Sequence, residues 1–132
     1  MDFRIPFGVR GHKYTEEEIA TTVAVMHGEA PLTQGACLHE FESRFRRYAG
    51  VEHAFAVSSA TAALEIAAQL CQFETDDEVI IPAHTYTSSA YPFVKAGATP
   101  VWADIDPDTR VVTAETISAC ISSRTRAVVV PH

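Results

Sequence analysis

The sequence predicts an open α/β layer fold built on a mostly parallel sheet. Short apolar runs without polar alternation suit strands buried on both faces, and helix-like segments separate each run from the next. Size and composition agree. The 132 residues, 47% hydrophobic and 20% charged, fit one compact domain or one piece of a larger one, and they are too apolar for a disordered chain. Ten Lys and Arg stand against seventeen Asp and Glu, a net charge of -7, and only Arg44, Arg46 and Arg47 cluster. That argues against nucleic acid as a partner. Met1-Asp2-Phe3-Arg4-Ile5-Pro6 lacks an apolar signal core, and no apolar run approaches the roughly 20 residues that span a bilayer. The expectation is a soluble, cytoplasmic protein with no membrane partner. Cys37, Cys71 and Cys120 are odd in number and far apart, which argues against a disulfide framework and a zinc site.

Along the chain, Thr15-Glu16-Glu17-Glu18 reads as a capping box with Ile19, Val23 and Met26 behind it at helical spacing, so a first amphipathic helix should run to Gly28. Residues 29–35 carry Pro31, Gly35 and small polar residues and read as a loop. Leu38, Phe41, Phe45 and Tyr48 then recur at helical intervals, a second helix ending at Gly50. From His53 the pattern changes: residues 54–57, 78–81, 99–103 and 127–130 read as strands, with helices over 60–71, 87–96 and 113–121. This βαβαβαβ order implies right-handed crossovers. Residues 1–52 read as a helical lead-in and 53–132 as the α/β part. Because Val128-Val129-Val130-Pro131-His132 stops where a strand hands over to a loop, the chain is expected to be the N-terminal part of a longer protein.

Ligands of open parallel sheets bind at the carboxyl ends of the strands, which directs attention to the loops there. In Ser58-Ser59-Ala60-Thr61-Ala62-Ala63-Leu64 small residues open a helix, leaving free N–H groups at the positive end of its dipole. That suits a phosphate; it equally suits a plain Ser/Thr cap before a packed Ala-rich helix. Walker and dinucleotide glycine patterns are absent. In Pro82-Ala83-His84-Thr85-Tyr86-Thr87-Ser88-Ser89, Tyr86 can lie on a planar ring and His84 can donate a hydrogen bond; alternatively Tyr86 packs in the core and Thr85 caps a helix. Asp104-Ile105-Asp106 can hold a metal against a diphosphate, or can be a solvated turn leading into Pro107-Asp108-Thr109. His132 closes the fourth loop as a lone terminal His, and the six His residues show no metal-ligand spacing.

Taken as an ordered series, these segments resemble the DegT/DnrJ/EryC1/StrS sugar aminotransferases, which use pyridoxal 5'-phosphate on the fold-type-I scaffold. The series comprises Leu32-Thr33-Gln34-Gly35, Phe41-Glu42, Tyr48-Ala49-Gly50-Val51, the Ser58 to Leu64 loop and Asp77-Glu78-Val79-Ile80-Ile81-Pro82. It continues with Thr85-Tyr86, Gly97-Ala98-Thr99-Pro100-Val101, Asp104-Ile105-Asp106, Arg124-Thr125-Arg126-Ala127 and Pro131-His132, so that it covers essentially the whole chain. The resemblance implies that residues 53–132 are the first part of the cofactor-binding large domain. It implies that Ala60 and Thr61, with Ala62, meet the cofactor phosphate and that Tyr86 stacks on its pyridine. It also implies that Thr33, Gln34 and Gly35 contact the sugar, that Asp104 and Asp106 are structural, and that no metal takes part. Ala60 stands where many relatives carry Gly, a change of one methyl group. The expected substrates are glutamate and a nucleotide-linked keto sugar, the expected setting polysaccharide biosynthesis, and the expected assembly a homodimer at full length.

Lys13 and Lys95 are the only lysines, and neither lies in the Ser-x-x-x-x-Lys setting of the family's Schiff-base lysine. No catalytic residue is assigned on that ground, and the 132 residues alone are expected to be inactive. Other readings stay open: a sugar dehydratase of the same fold, a metal-dependent nucleotide-sugar glycosyltransferase using Asp104 and Asp106, and a non-enzymatic remnant or interaction module.

Overall fold

The computed structural model describes residues 13–31 and 33–131. Residues 1–12, Leu32 of the loop motif and His132 of the fourth loop lie outside the described residues. The chain divides into two compact units, Met1–Ala56 and Val57–His132.

The first unit holds α1 (Glu16–His27) and α2 (Ala36–Ala49). At the head of α1 the Thr15 hydroxyl accepts the Glu18 N–H at 3.2 Å, and the Glu18 carboxylate accepts the Thr15 N–H at 2.7 Å. The expected capping box is therefore present, and Glu16, Glu17 and Glu18 all face the positive end of the dipole. Helix α2 has no side-chain cap at its start, and it ends on Gly50 at φ +66, where the left-handed turn lets Val51 N–H reach the Arg46 carbonyl at 3.2 Å. Neither helix buries a residue. Phe41, Phe45 and Tyr48 instead form an exposed row, with ring centroids 6.1 and 6.4 Å apart.

Residues 54–57, expected as a strand, have no strand geometry. A strand needs a neighbour for its backbone groups, and no strand among the described residues pairs with this one. Ala56 N–H donates instead to the Glu42 carboxylate at 2.9 Å. An apolar run alone is thus insufficient to make an edge.

The second unit holds α3 (Ala60–Leu70), β1 (Glu78–Pro82), a 3-10 turn (Thr87–Ser89), α4 (Tyr91–Lys95), β2 (Thr99–Ala103), α5 (Ala114–Ser118) and β3 (Thr125–Val128). The three strands form one parallel sheet in the order β2-β1-β3, as the alternation of strands and helices implied. Glu78 to Pro82 face Thr99 to Ala103 in unbroken register on one side, and the pairing with β3 shifts between Glu78 and Val79 on the other. Because β1 is central, all five of its residues are buried, which is why Val79 to Pro82 run apolar without alternation. Val79 and Ile81 join Ala68, Phe93 and Ala98 in the core, where Phe73 meets Phe93 edge-on at 6.3 Å.

Two expected helices are shorter than their patterns. The 87–96 run breaks into the 3-10 turn and α4 because Pro92 has no N–H and fits only the first turn of a helix. The 113–121 run keeps its cap, with Thr113 and Thr116 bonded reciprocally, but from Cys120 the bonds tighten to three-residue spacing. Ser122 and Ser123, poor helix formers, follow. At the amino end of β1, Glu78 is 6% exposed and accepts Arg124 Nε at 2.8 Å together with the Ser122 hydroxyl. Those two partners, the Ser122 hydroxyl foremost, hold its carboxyl below the ordinary glutamate range.

Candidate functional site

At the opposite end of the sheet, the chain leaving β1 first extends the ladder, with Ala83 N–H on the Ala103 carbonyl at 2.9 Å. It then turns at Tyr86, whose carbonyl accepts Ser89 N–H at 2.9 Å, while the Thr85 hydroxyl donates to Ser89 Oγ at 3.0 Å. This tight turn swings the Tyr86 ring outward, 78% exposed, so the core-packing alternative for Tyr86 does not hold. Thr85 ties the turn internally and caps no helix.

A cleft of about 520 Å³ opens here. Pro82, His84, Thr85, Tyr86 and Ser89 line it from the segment after β1, Arg110, Val111 and Val112 from the segment after β2, and Pro131 from beyond β3. Carboxyl ends of all three strands therefore converge on one concavity, the place where open parallel sheets receive ligands.

The segment after β2 is built around Asp106. One of its carboxylate oxygens accepts Thr109 N–H at 2.7 Å, the Thr109 hydroxyl at 3.0 Å and Asp108 N–H at 3.1 Å. These bonds, led by Thr109 N–H, hold the Asp106 carboxyl below the ordinary aspartate range. Asp106 N–H donates to the Val111 carbonyl at 3.0 Å and its own carbonyl accepts Arg110 N–H at 2.7 Å, closing the turn. Asp104 accepts the N–H of Ile105 at 2.8 Å. Among the described residues no three His, Cys, Asp or Glu side chains gather as a metal site.

The start of α3 follows from Ser59, extended at φ -163, whose hydroxyl accepts Ala62 N–H at 3.1 Å and whose carbonyl accepts Ala63 N–H at 3.1 Å. Ala60 and Thr61 N–H have no acceptor among the described residues. Helix α3 packs on the 3-10 turn that follows Tyr86 and on α4. Between α3 and α4, Lys95 Nζ lies 3.1 Å from Glu65 and 5.7 Å from the Tyr91 ring centroid. Its hydrogen bond with Glu65 raises its pKa above the ordinary lysine range, the reverse of what a nucleophilic amine requires. No described lysine lines the cleft.

Of the residues singled out by sequence, Tyr86 lines the cleft, and Ala60, Thr61 and Ala62 head the helix packed on its turn. Thr33, Gln34 and Gly35 belong to the first unit. There Gln34 takes φ +54, and a Cβ on Gly35 would lie 2.8 Å from the Pro31 carbonyl oxygen, so the backbone demands a glycine. Arg110, Val111 and Val112 are the lining residues that no quoted motif contains, whereas Ser89 closes the Pro82 to Ser89 loop. The Asp106-Pro107-Asp108-Thr109 turn is the signal that could have located Arg110. Among the described residues, no helix is long and apolar enough to cross a membrane.

Comparison with known proteins bears on this geometry. Residues 12–132 match the model of the DegT/DnrJ/EryC1/StrS aminotransferase family. Among solved structures, a Streptococcus pneumoniae protein assigned as a sugar aminotransferase, in its pyridoxal-phosphate form, is 33% identical with a TM-score of 0.81. The match covers 96% of this chain and 31% of that one. The Helicobacter pylori aminotransferase PseC, involved in pseudoaminic acid biosynthesis, is 28% identical at a TM-score of 0.78, over 88% of this chain and 31% of its own. The aminotransferase TlmJ of Streptoalloteichus hindustanus is 30% identical at 0.77, over 88% and 32%. The chain thus spans about a third of the length of these relatives, within the α/β scaffold of fold-type-I pyridoxal-phosphate aminotransferases.

Proposed function

The chain belongs to the DegT/DnrJ/EryC1/StrS aminotransferase family, and on that premise we propose that the whole protein transfers an amino group from glutamate to a nucleotide-linked keto sugar, with pyridoxal 5'-phosphate as cofactor. Residues 53–132 are then the first part of the cofactor-binding domain and 1–52 its helical lead-in. The observation that carries the reading is the head of α3, where Ala60 and Thr61 hold out two N–H groups with no acceptor among the described residues. That donor set fits a phosphate: two N–H groups, the Thr61 hydroxyl and the positive end of an eleven-residue helix. Ala62 contributes through the dipole, its own N–H being held by Ser59.

The exposed Tyr86 ring supports the same reading, because a flat aromatic at the mouth of the cleft suits the pyridine face. When bound, pyridoxal phosphate supplies the electron sink that amino-group transfer needs. The residues of this chain bind and orient it. Thr61 and Ala60 hold the phosphate, Tyr86 sets the ring plane, and the bond from Thr85 to Ser89 keeps the Tyr86 turn in shape. With Lys95 tied to Glu65, the amine that moves the proton is proposed to come from elsewhere in the whole protein. On this reading Thr33, Gln34 and Gly35 lie on the sugar side, Asp104 and Asp106 shape a turn, and the protein works as a cytoplasmic homodimer. The setting is the supply of amino sugars for polysaccharides.

The test is cofactor titration of the whole protein followed by glutamate addition. Saturable pyridoxal-phosphate binding and stoichiometric release of 2-oxoglutarate are expected. Thr61→Val should weaken cofactor binding about tenfold, the loss of one hydrogen bond to a charged group. Absence of cofactor binding by the wild type overturns the reading.

A further inference from the structure

We propose that Arg110 is the anion anchor of the cleft, its guanidinium receiving a carboxylate or phosphate group carried by the incoming substrate. The inference rests on the aminotransferase reading above and adds to it the charge that the cleft selects.

Among the described residues, Arg110 is the only one lining the cleft with a fixed charge, and no carboxylate lines it. His84, Tyr86 and Ser89 each add a polar group able to donate to an anion, Ser89 while accepting the Thr85 hydroxyl. Among the described residues Arg44 sits on Glu40, Lys95 on Glu65 and Arg124 on Glu78, whereas Arg46, Arg47 and Arg126 are, like Arg110, outside any ion pair but do not line the cleft. Arg110 has no ion pair among the described residues, in a chain whose net charge is -7. A cation without a counter-charge in a concave, partly apolar site draws anions, and a planar guanidinium fork suits the paired oxygens of a carboxylate or a phosphate.

The backbone makes the placement deliberate. Arg110 takes φ +62, a left-handed conformation that glycine or asparagine would adopt with less strain. The turn holds it there, with Arg110 N–H on the Asp106 carbonyl at 2.7 Å and three donors on the Asp106 carboxylate. The root of the side chain is therefore fixed before any ligand arrives, which lowers the ordering cost of binding. The cofactor phosphate is assigned to the head of α3, and neither Ala60, Thr61 nor Ala62 lines this cleft. The anion for Arg110 accordingly belongs to a substrate.

Two sources carry that chemistry, the carboxylate of the amino donor and the diphosphate of the sugar nucleotide, and calorimetric titration of the whole protein with glutarate and with pyrophosphate separates them. Arg110→Asn keeps the left-handed turn and removes the charge; Arg110→Lys keeps the charge without the fork. The wild type is expected to bind one of the two probes. Arg110→Asn should weaken that probe about 10- to 100-fold, the range for a lost charge-assisted bond, and Arg110→Lys should restore part of it. Pyridoxal-phosphate affinity should stay at the wild-type value in both variants. Glutarate as the affected probe assigns Arg110 to the amino donor, and pyrophosphate assigns it to the nucleotide. Equal binding by wild type and Arg110→Asn, or no binding of either probe by the wild type, overturns the proposal. Loss of cofactor binding by the wild type would instead strike the aminotransferase reading and leave the anion measurement standing.

Discussion

In the first unit α1 and α2 bury no side chain, whereas in the second every residue of β1 is buried and Val79, Ile80 and Ile81 expose no surface. The contrast separates two ways in which a segment acquires its shape. A helix satisfies its backbone within itself, so a capping box at Thr15 and a left-handed Gly50 suffice to bound one even where Phe41, Phe45 and Tyr48 stay exposed. A strand has no internal partner. β1 exists because β2 and β3 take its two edges, and residues 54–57, with comparable letters, remain irregular without a neighbour.

The strongest way to break this contrast is Ile80→Ala. It should cost the second unit about 2–5 kcal/mol, the usual range for truncating a buried isoleucine. Trp102, in β2, reports that loss by fluorescence during denaturant unfolding, and far-UV circular dichroism should show α1 and α2 retained. Next comes Gly97→Ala. With φ +102 at Gly97, any side chain is strained, and about 1–2 kcal/mol should be lost from the same transition. Thr15→Ala works in the opposite unit: removal of the cap should cost α1 about 1 kcal/mol, seen as faster amide exchange at Glu16 to Glu18, with the Trp102 midpoint unmoved.

The remaining test is confined to acid. Glu78 titrates below its ordinary value of 4.5 in the folded chain, so its contribution is complete above 4.5 and is lost as pH falls through the lower folded value. A stability profile by Trp102 fluorescence should fall below pH 4.5 in the wild type, and Glu78→Gln should flatten that acid limb.

The same physics decides what could be read in advance. Both N-terminal helices were legible because caps and periodicity are local signals, and β1 because burial on both faces leaves an unbroken apolar run. The helix expected over 87–96 was misjudged where Pro92 overrides periodicity, and the strand over 54–57 because partnership is not written in a segment's own letters. At the site, the small residues opening α3 and the ring at position 86 could be located from the order of elements. Arg110 is not marked by the order of elements; its one signal is the Asp106-Pro107-Asp108-Thr109 turn before it, without which a left-handed arginine looks like any other surface cation.

Gly35 carries a practical consequence for anyone scanning the protein by mutation. Since a Cβ there would meet the Pro31 carbonyl oxygen at 2.8 Å, every replacement will look deleterious whether or not a sugar ever touches the loop. Intolerance at that position is a report on crowding. Thr33 and Gln34, whose side chains are exposed, are the positions at which a selection for altered substrate preference can return information about chemistry.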